Sequence, residues 1–139
     1  MTQPLEVLVL DDEPIVGSRI KPSLEKAGYK VEIMTDSQKA MEKIKQKRFD
    51  IVVTDFKMSR VSGLDLLRAQ KELWPDTEVI IITGYATLET AREAMQSGVY
   101  DFMAKPFRLQ ELKEVIGRAA ESIRERKKRQ EKGGRDVPC

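Results

Sequence analysis

Apolar positions along this chain switch repeatedly between two periods. Short β-branched runs read as strands at 5–10, 31–34, 51–55, 78–83 and 100–104. Between them, apolar residues recur every three or four positions. Val16, Ile20, Leu24 and Ala27 predict a first helix, capped by Asp11 or Asp12, with Glu13 and Pro14 in its first turn and Gly28 at its end. Asp36-Ser37 opens a second, with Ala40, Met41 and Ile44 inward and the basic cluster Lys45-Gln46-Lys47-Arg48 in its last turn. Leu64, Leu67 and Leu73 predict a third that stops before Pro75. Ala91, Ala94 and Met95 predict a fourth, capped by Thr87 and followed by Gly98. The fifth starts near Leu109 and carries Leu112, Val115, Ile116, Ala119 and Ile123. Strands alternate with helices throughout. That order predicts an α/β fold with a doubly wound, five-stranded parallel sheet and helices on both faces.

The apolar stripe stops after Ile123, so the expected domain is 5–123, followed by a basic extension, 124–139. A helix continuing into that extension is expected to bury nothing and to end at Gly133-Gly134, before a disordered tail. Charge follows the same division. The chain has 25 basic and 23 acidic residues, a net +2. From Arg124 onward seven basic residues face three acidic ones, a net +4, which leaves residues 1–123 at −2. The length of 139 residues suits one domain with a real core. The longest apolar run, 79–82, is far too short to span a bilayer, and Met1-Thr2-Gln3-Pro4 has no basic-then-apolar leader pattern. The single cysteine, Cys139, excludes an internal disulfide and suits a reducing cytoplasm. The chain has no histidine, which excludes Ser-His-Asp and Cys-His catalysis and any His-ligated metal. A metal here must be held by oxygen, so a hard ion such as Mg²⁺ is expected.

The candidate chemistry lies at the strand ends. The first strand runs into Asp11-Asp12, the third ends in Asp55, the fourth in Thr83, and the fifth is followed by Lys105-Pro106. In an open parallel sheet the carboxyl ends of the strands are where ligands bind. Each piece alone is ordinary: an acidic run caps helices, and a Thr-Gly pair ends strands. Together they set three carboxylates, a hydroxyl and an ammonium on one rim. Carboxylates in such proximity repel one another unless a cation is present. A divalent ion, a fixed ammonium and a hydroxyl donor describe a site for a phosphoryl group, with Asp55 as metal ligand or nucleophile.

Over residues 5–123 the sequence resembles the receiver domain of two-component response regulators. The resemblance is carried by Asp11-Asp12, Asp55, Met58, Gly63, Thr83, Phe102 and Lys105-Pro106. It implies strand order 2-1-3-4-5, with the switch point between Asp12 and Asp55. It makes Asp55 the phosphoacceptor, with Asp12, Asp55 and the backbone carbonyl of Lys57 holding Mg²⁺ and Asp11 acting through the metal's waters. It makes Lys105 the phosphoryl ligand, Thr83 and Phe102 the switch pair, and the Lys105-Pro106 bond cis. It implies a sensor histidine kinase as phosphoryl donor. Lys57 and Tyr85 occupy the positions that tune phosphoryl lifetime, and bulky Tyr85 is expected to hinder water. One departure stands out: Ser59 follows Met58 where the family usually has proline.

Readout is expected through the face formed by the fourth helix, fifth strand and fifth helix, meeting a partner, an effector domain or a second copy. The stretches 83–87 and 100–102 most resemble receivers placed before an ATPase and a DNA-binding domain in transcriptional activators. The expected activity is self-catalysed phosphorylation and slow hydrolysis of the product, not turnover of an external substrate. Direct nucleic-acid binding is not expected, because the basic extension lacks a recognition-helix motif and interleaved aromatics. The rival reading is a phosphate-independent interaction module on the same fold. A Mg²⁺-dependent phosphatase would need a further acidic group and a covering cap, which the sequence does not offer.

Overall fold

Parallel pairing without hairpins organises this chain. In the computed structural model, which describes residues 3–58, 60–84 and 86–136, the strands are β1 (Glu6–Leu10), β2 (Lys30–Met34), β3 (Ile51–Asp55), β4 (Glu78–Thr83) and β5 (Asp101–Ala104). They alternate with α1 (Pro14–Lys26), α2 (Ser37–Gln46), α3 (Gly63–Leu73), α4 (Leu88–Gln96) and α5 (Leu109–Asp136). The sheet order is β2-β1-β3-β4-β5, all parallel, as expected. No helix among the described residues is long and apolar enough to cross a membrane.

The pleat sorts the core into two layers. Val7, Val9, Val53, Ile80 and Ile82 pack against Ile20 and Leu24 of α1 and Leu112, Ile116 and Ala119 of α5. Leu8, Leu10, Val52, Val79 and Ile81 point to the other face, against Ala40 and Ile44 of α2, Leu66 and Leu67 of α3 and Ala94 of α4. Strands buried on both faces read as continuous apolar runs, which is why the sequence shows them clearly.

The helices depart from the predicted stripes at their margins. In α1, Ala27 is the exposed C-cap and Gly17 is buried instead. A Cβ on Gly17 would lie 2.4 Å from Ile33 Cγ2, so a missing side chain, invisible to an apolar pattern, makes that contact. Glu13, not Asp11 or Asp12, occupies the α1 N-cap, with no side-chain cap. Asp36 does cap α2, accepting from the Gln38 and Lys39 N–H groups. In α3, Leu66 is buried and Leu73 exposed. In α4, Met95 is 71% exposed and Ala94 is the buried residue. Periodicity finds the face of a helix, but the width of the buried arc depends on how closely the helix lies on the sheet.

The basic extension is also different from its expected form. The α5 helix passes through Gly133-Gly134 to Asp136. Glycine weakens a helix by about 1 kcal/mol relative to alanine without forbidding it. It stops a helix by turning left-handed, as Gly28 (φ 98°) does after α1. Beyond Ile123 the helix does find partners. The Arg126 guanidinium donates to the Asp76 carbonyl at 3.2 Å and lies 3.4 Å from Glu78 Oε2; Lys127 Nζ is 3.7 Å from Asp50 Oδ1. These acids stand at the amino ends of β3 and β4, so the tail's cations neutralise the acidic body directly. Arg126→Ala is expected to lower stability by about 0.5–1 kcal/mol, as partly exposed ion pairs allow. The loss should shrink in high salt, measured by urea unfolding at two ionic strengths.

Candidate functional site

Strand register assembles the site. Leu10 pairs with Thr54, so Asp11 follows β1 level with Asp55; Asp55 pairs with Ile82, and Thr83 pairs with Ala104, the residue before Lys105. The ends of β1, β3, β4 and β5 therefore bring Asp11, Asp55, Thr83 and Lys105 to one rim. Alternation assigns faces. Asp55 lies on the α1 and α5 side with Val53, while Thr83 lies on the α2–α4 side with Ile81.

The Lys105 ammonium is the hub. Its Nζ donates to Asp11 Oδ2 at 2.9 Å and to Asp55 Oδ2 at 3.0 Å. Its backbone N–H donates to the Thr83 carbonyl at 2.8 Å, and its bond to Pro106 is cis. Asp11 is fixed twice more: its N–H donates to the Met34 carbonyl at 3.2 Å, and its Oδ1 accepts the Glu13 N–H at 2.9 Å. Asp55 Oδ1 accepts the Lys57 N–H at 3.4 Å. Asp11 and Asp55 are buried, Asp12 is exposed, and one carboxylate oxygen from each of the three lies within 4.8 Å of the others.

The charges do not balance. Burial pushes the Asp55 carboxyl above its usual 3.8; Lys105 opposes the rise and the neighbouring Asp11 adds to it. Burial alone would lower the Lys105 ammonium, but its hydrogen bonds to Asp11 and Asp55 reverse this and hold it above 10.5. The group thus keeps one cation among three carboxylates. All its donors are hard oxygens, so the residues fit a hard divalent ion that adds positive charge.

Around this hub, Thr83 is fully buried. Phe102 is half-buried and meets Phe56 edge to face, with ring centroids 6.3 Å apart. The Lys57 side chain is exposed while its backbone borders Asp55. Tyr85 and Ser59 lie outside the described residues. Sequence reasoning passed over Phe56, because an aromatic after a strand carries no sign of its partner. It also gave Gly63 no mechanical role. A Cβ there would lie 2.2 Å from the Asp55 carbonyl oxygen, and the Gly63 N–H donates to the Phe56 carbonyl at 2.8 Å. The start of α3 rests on the backbone that carries Asp55, so only glycine fits. Ser62 caps that helix with a reciprocal Asp65 contact.

Comparison with known proteins follows the same lines. A family model described as the response regulator receiver domain matches residues 7–117. The nitrogen assimilation regulatory protein NtrX of Azorhizobium caulinodans is 34% identical over 124 residues, covering 88% of this chain and 27% of that protein. The chain therefore spans about a quarter of the length of the curated relatives it matches. Among solved structures, a receiver domain protein from Clostridium thermocellum superposes with a TM-score of 0.79 at 34% identity, covering 88% of this chain and 97% of that one. The beryllofluoride-activated NtrC4 receiver domain dimer gives 0.79 at 35% identity, covering 85% and 98%.

Two predictions concern the site's construction. Gly63→Ala should cost about 2 kcal/mol, because the methyl group meets backbone that cannot yield like a side chain, and urea unfolding measures it. The second concerns pH. The folded state holds the Asp55 proton more tightly than the unfolded chain, since its pKa is raised above 3.8. The group's contribution to stability is therefore greatest below that value and falls as pH rises through the folded pKa. At neutral pH ionised Asp55 weakens the fold. In chelator-treated buffer Asp55→Asn should melt above the unsubstituted protein at neutral pH, and the gap should narrow towards about pH 4. A gap that does not change with pH would contradict this assignment.

Proposed function

The chain belongs to the response regulator receiver domain family, and from that premise we propose that it is a phosphorylation-activated switch with Asp55 as phosphoacceptor. One observation carries the reading: a single ammonium, Lys105, bonded to two buried carboxylates beside a third. This arrangement leaves negative charge in excess and aims a cation at the place where phosphoryl oxygens would arrive.

The donor is a phosphohistidine on a partner sensor kinase, because this chain has no histidine. An Asp55 carboxylate oxygen attacks the phosphorus. A P–O bond forms, the P–N bond breaks, and the electron pair leaves on the imidazole nitrogen, which takes a proton from solvent. Mg²⁺, when bound, supplies positive charge to the carboxylates and the transferring phosphoryl oxygens. Asp12, Asp55 and the Lys57 carbonyl would hold it, with Asp11 acting through its waters. Lys105 keeps its proton at neutral pH and passes from Asp55 to the phosphoryl oxygens, offsetting charge without a proton transfer. Slow hydrolysis by water returns Asp55. No external substrate is turned over, so the chain is a switch and not an enzyme in the ordinary sense.

The readout runs through Thr83, on the α4 side of the sheet, to the surface around its β5 edge. The Thr83 hydroxyl would bond the phosphoryl group, and Phe102 would move from Phe56 towards the space behind it. The surface above is α4, β5 and α5, where Leu88 and Met95 are 76% and 71% exposed. Exposed apolar residues of this size suit a second copy or a partner domain. The NtrC4 receiver was solved as a dimer in its beryllofluoride-activated form, which supports a homodimer here. Transcriptional control in the cytoplasm, without direct nucleic-acid contact by this domain, fits the regulatory relatives.

Intact-protein mass after incubation with acetyl phosphate and Mg²⁺ tests the chemistry. A gain of one phosphoryl group is expected, absent in Asp55→Asn and in chelator. A folded protein that gains nothing would favour the phosphate-independent interaction module.

A further inference from the structure

The loop after β3 contains a backbone irregularity that the function above does not use. Arg60 has φ 73°, and it is the non-glycine residue with positive φ among those described. A left-handed conformation costs an ordinary residue about 1–2 kcal/mol. Such a residue persists where its surroundings over-determine it.

The surroundings here are the amino end of α2. Arg60 Nη1 donates to Gln38 Oε1 at 2.6 Å. The next residue, Val61, donates its N–H to the Ser37 hydroxyl at 3.3 Å, and Ser37 is buried. Asp36, the cap of the same helix, has its carboxyl held low, first by the Lys39 backbone N–H and in lesser part by the Arg60 charge. The turn that receives Arg60 also touches the site from the other side, since the Met34 carbonyl accepts the Asp11 N–H at 3.2 Å. One short segment, 34–38, therefore braces the backbone of Asp11 and the loop that leaves Asp55.

That loop needs a brace. Its two ends are pinned, by the Lys57 N–H on Asp55 and by the Gly63 N–H on the Phe56 carbonyl. Between those pins the Arg60 side chain straps the loop to Gln38 of α2.

We infer that Arg60 and Gln38 are a positioning pair that holds the loop after β3, and with it the Lys57 backbone, in the conformation used by the Asp55 site. The inference rests on the receiver chemistry proposed above and deepens it, by assigning loop geometry to residues that touch neither metal nor phosphate. The strap is exposed, so its effect is modest.

The test uses the full chain and four variants: Arg60→Gly, Gln38→Ala, their combination, and Gln38→Glu. Glycine accepts the left-handed backbone freely and removes the side chain with its guanidinium, but it also adds backbone freedom, which Gln38→Ala does not. Gln38→Ala removes the acceptor without changing any residue of the loop, and Gln38→Glu restores one. Mg²⁺ affinity is read by calorimetry, the initial phosphorylation rate with acetyl phosphate by intact mass, and exchange of the Lys57 and Val61 amides by NMR in chelator. Each single loss is expected to weaken Mg²⁺ binding and slow phosphorylation by about threefold, as one net hydrogen bond allows. The combined variant should be no worse than either alone, because both remove one interaction. Gln38→Glu should bind and react as the unsubstituted protein does. Faster amide exchange with unchanged Mg²⁺ affinity and rate would make the strap a structural tether and overturn the inference alone. An unsubstituted protein that takes neither Mg²⁺ nor phosphate would overturn the receiver chemistry, and this inference with it.

Discussion

Two buried carboxylates cannot both stay ionised side by side without a nearby cation, and Lys105 supplies one. Its bonds to Asp11 and Asp55 join the ends of β1, β3 and β5 across the sheet. Everything else at the rim serves this contact. The parallel register brings the three residues level, the Met34 carbonyl and the Glu13 N–H fix Asp11, and the bare Gly63 lets α3 settle against the Asp55 backbone. The ammonium restrains the carboxylates but does not neutralise them all. Burial raises the Asp55 pKa, and the neighbouring Asp11 adds to the rise while Lys105 opposes it. The excess of anions over this one ammonium fits the hard divalent ion that the oxygen donors could hold.

The pleat then separates chemistry from readout. Asp11, Asp55 and Lys105 lie on the side of α1 and α5, while Thr83 and Phe102 lie on the side of α4. Neighbouring residues on one strand necessarily face opposite ways. Under the proposed reading, a group attached to Asp55 would reach the far face by the Thr83 hydroxyl, one strand away. Phe102 marks where that step would be felt, since its ring meets Phe56, the residue after Asp55.

Much of this was legible in the sequence, for a physical reason. Buried parallel strands must be apolar throughout, and the polar residues that end them stand out against the run. Asp55 and Thr83 are visible for that reason, and sheet order followed from the family resemblance. What stayed hidden was contact between segments distant in sequence. The partner of Phe102, the close approach at Gly63 and the strap from Arg60 to Gln38 each depend on three-dimensional distance. Met95 was misassigned because α4 buries a narrower arc than its pattern suggests. The contacts of the basic extension stayed hidden because their partners, the Asp50 and Glu78 carboxylates and the Asp76 carbonyl, lie about 50 or more residues earlier. A charge run has no periodicity that reveals what it faces.

The two helices of the readout face are held very differently. Six residues of α5, from Leu112 to Ile123, are buried, and Arg126 and Lys127 pin it again at the far end of the sheet. Each fully buried Leu or Ile contributes about 1.5–3 kcal/mol, so shifting α5 as a body would break many contacts at once. By contrast α4 has Ala94 as its buried residue, while Leu88 and Met95 point outward. Its own ends are well made, with a reciprocal Thr87–Thr90 cap and Gly98 at φ 91° after its last turn. It is therefore a stable helix weakly attached, able to move without unfolding. Under the proposed switch, a rearrangement that begins at Thr83 would cost least if α4 moved and α5 stayed, because α5 has more buried contacts to break.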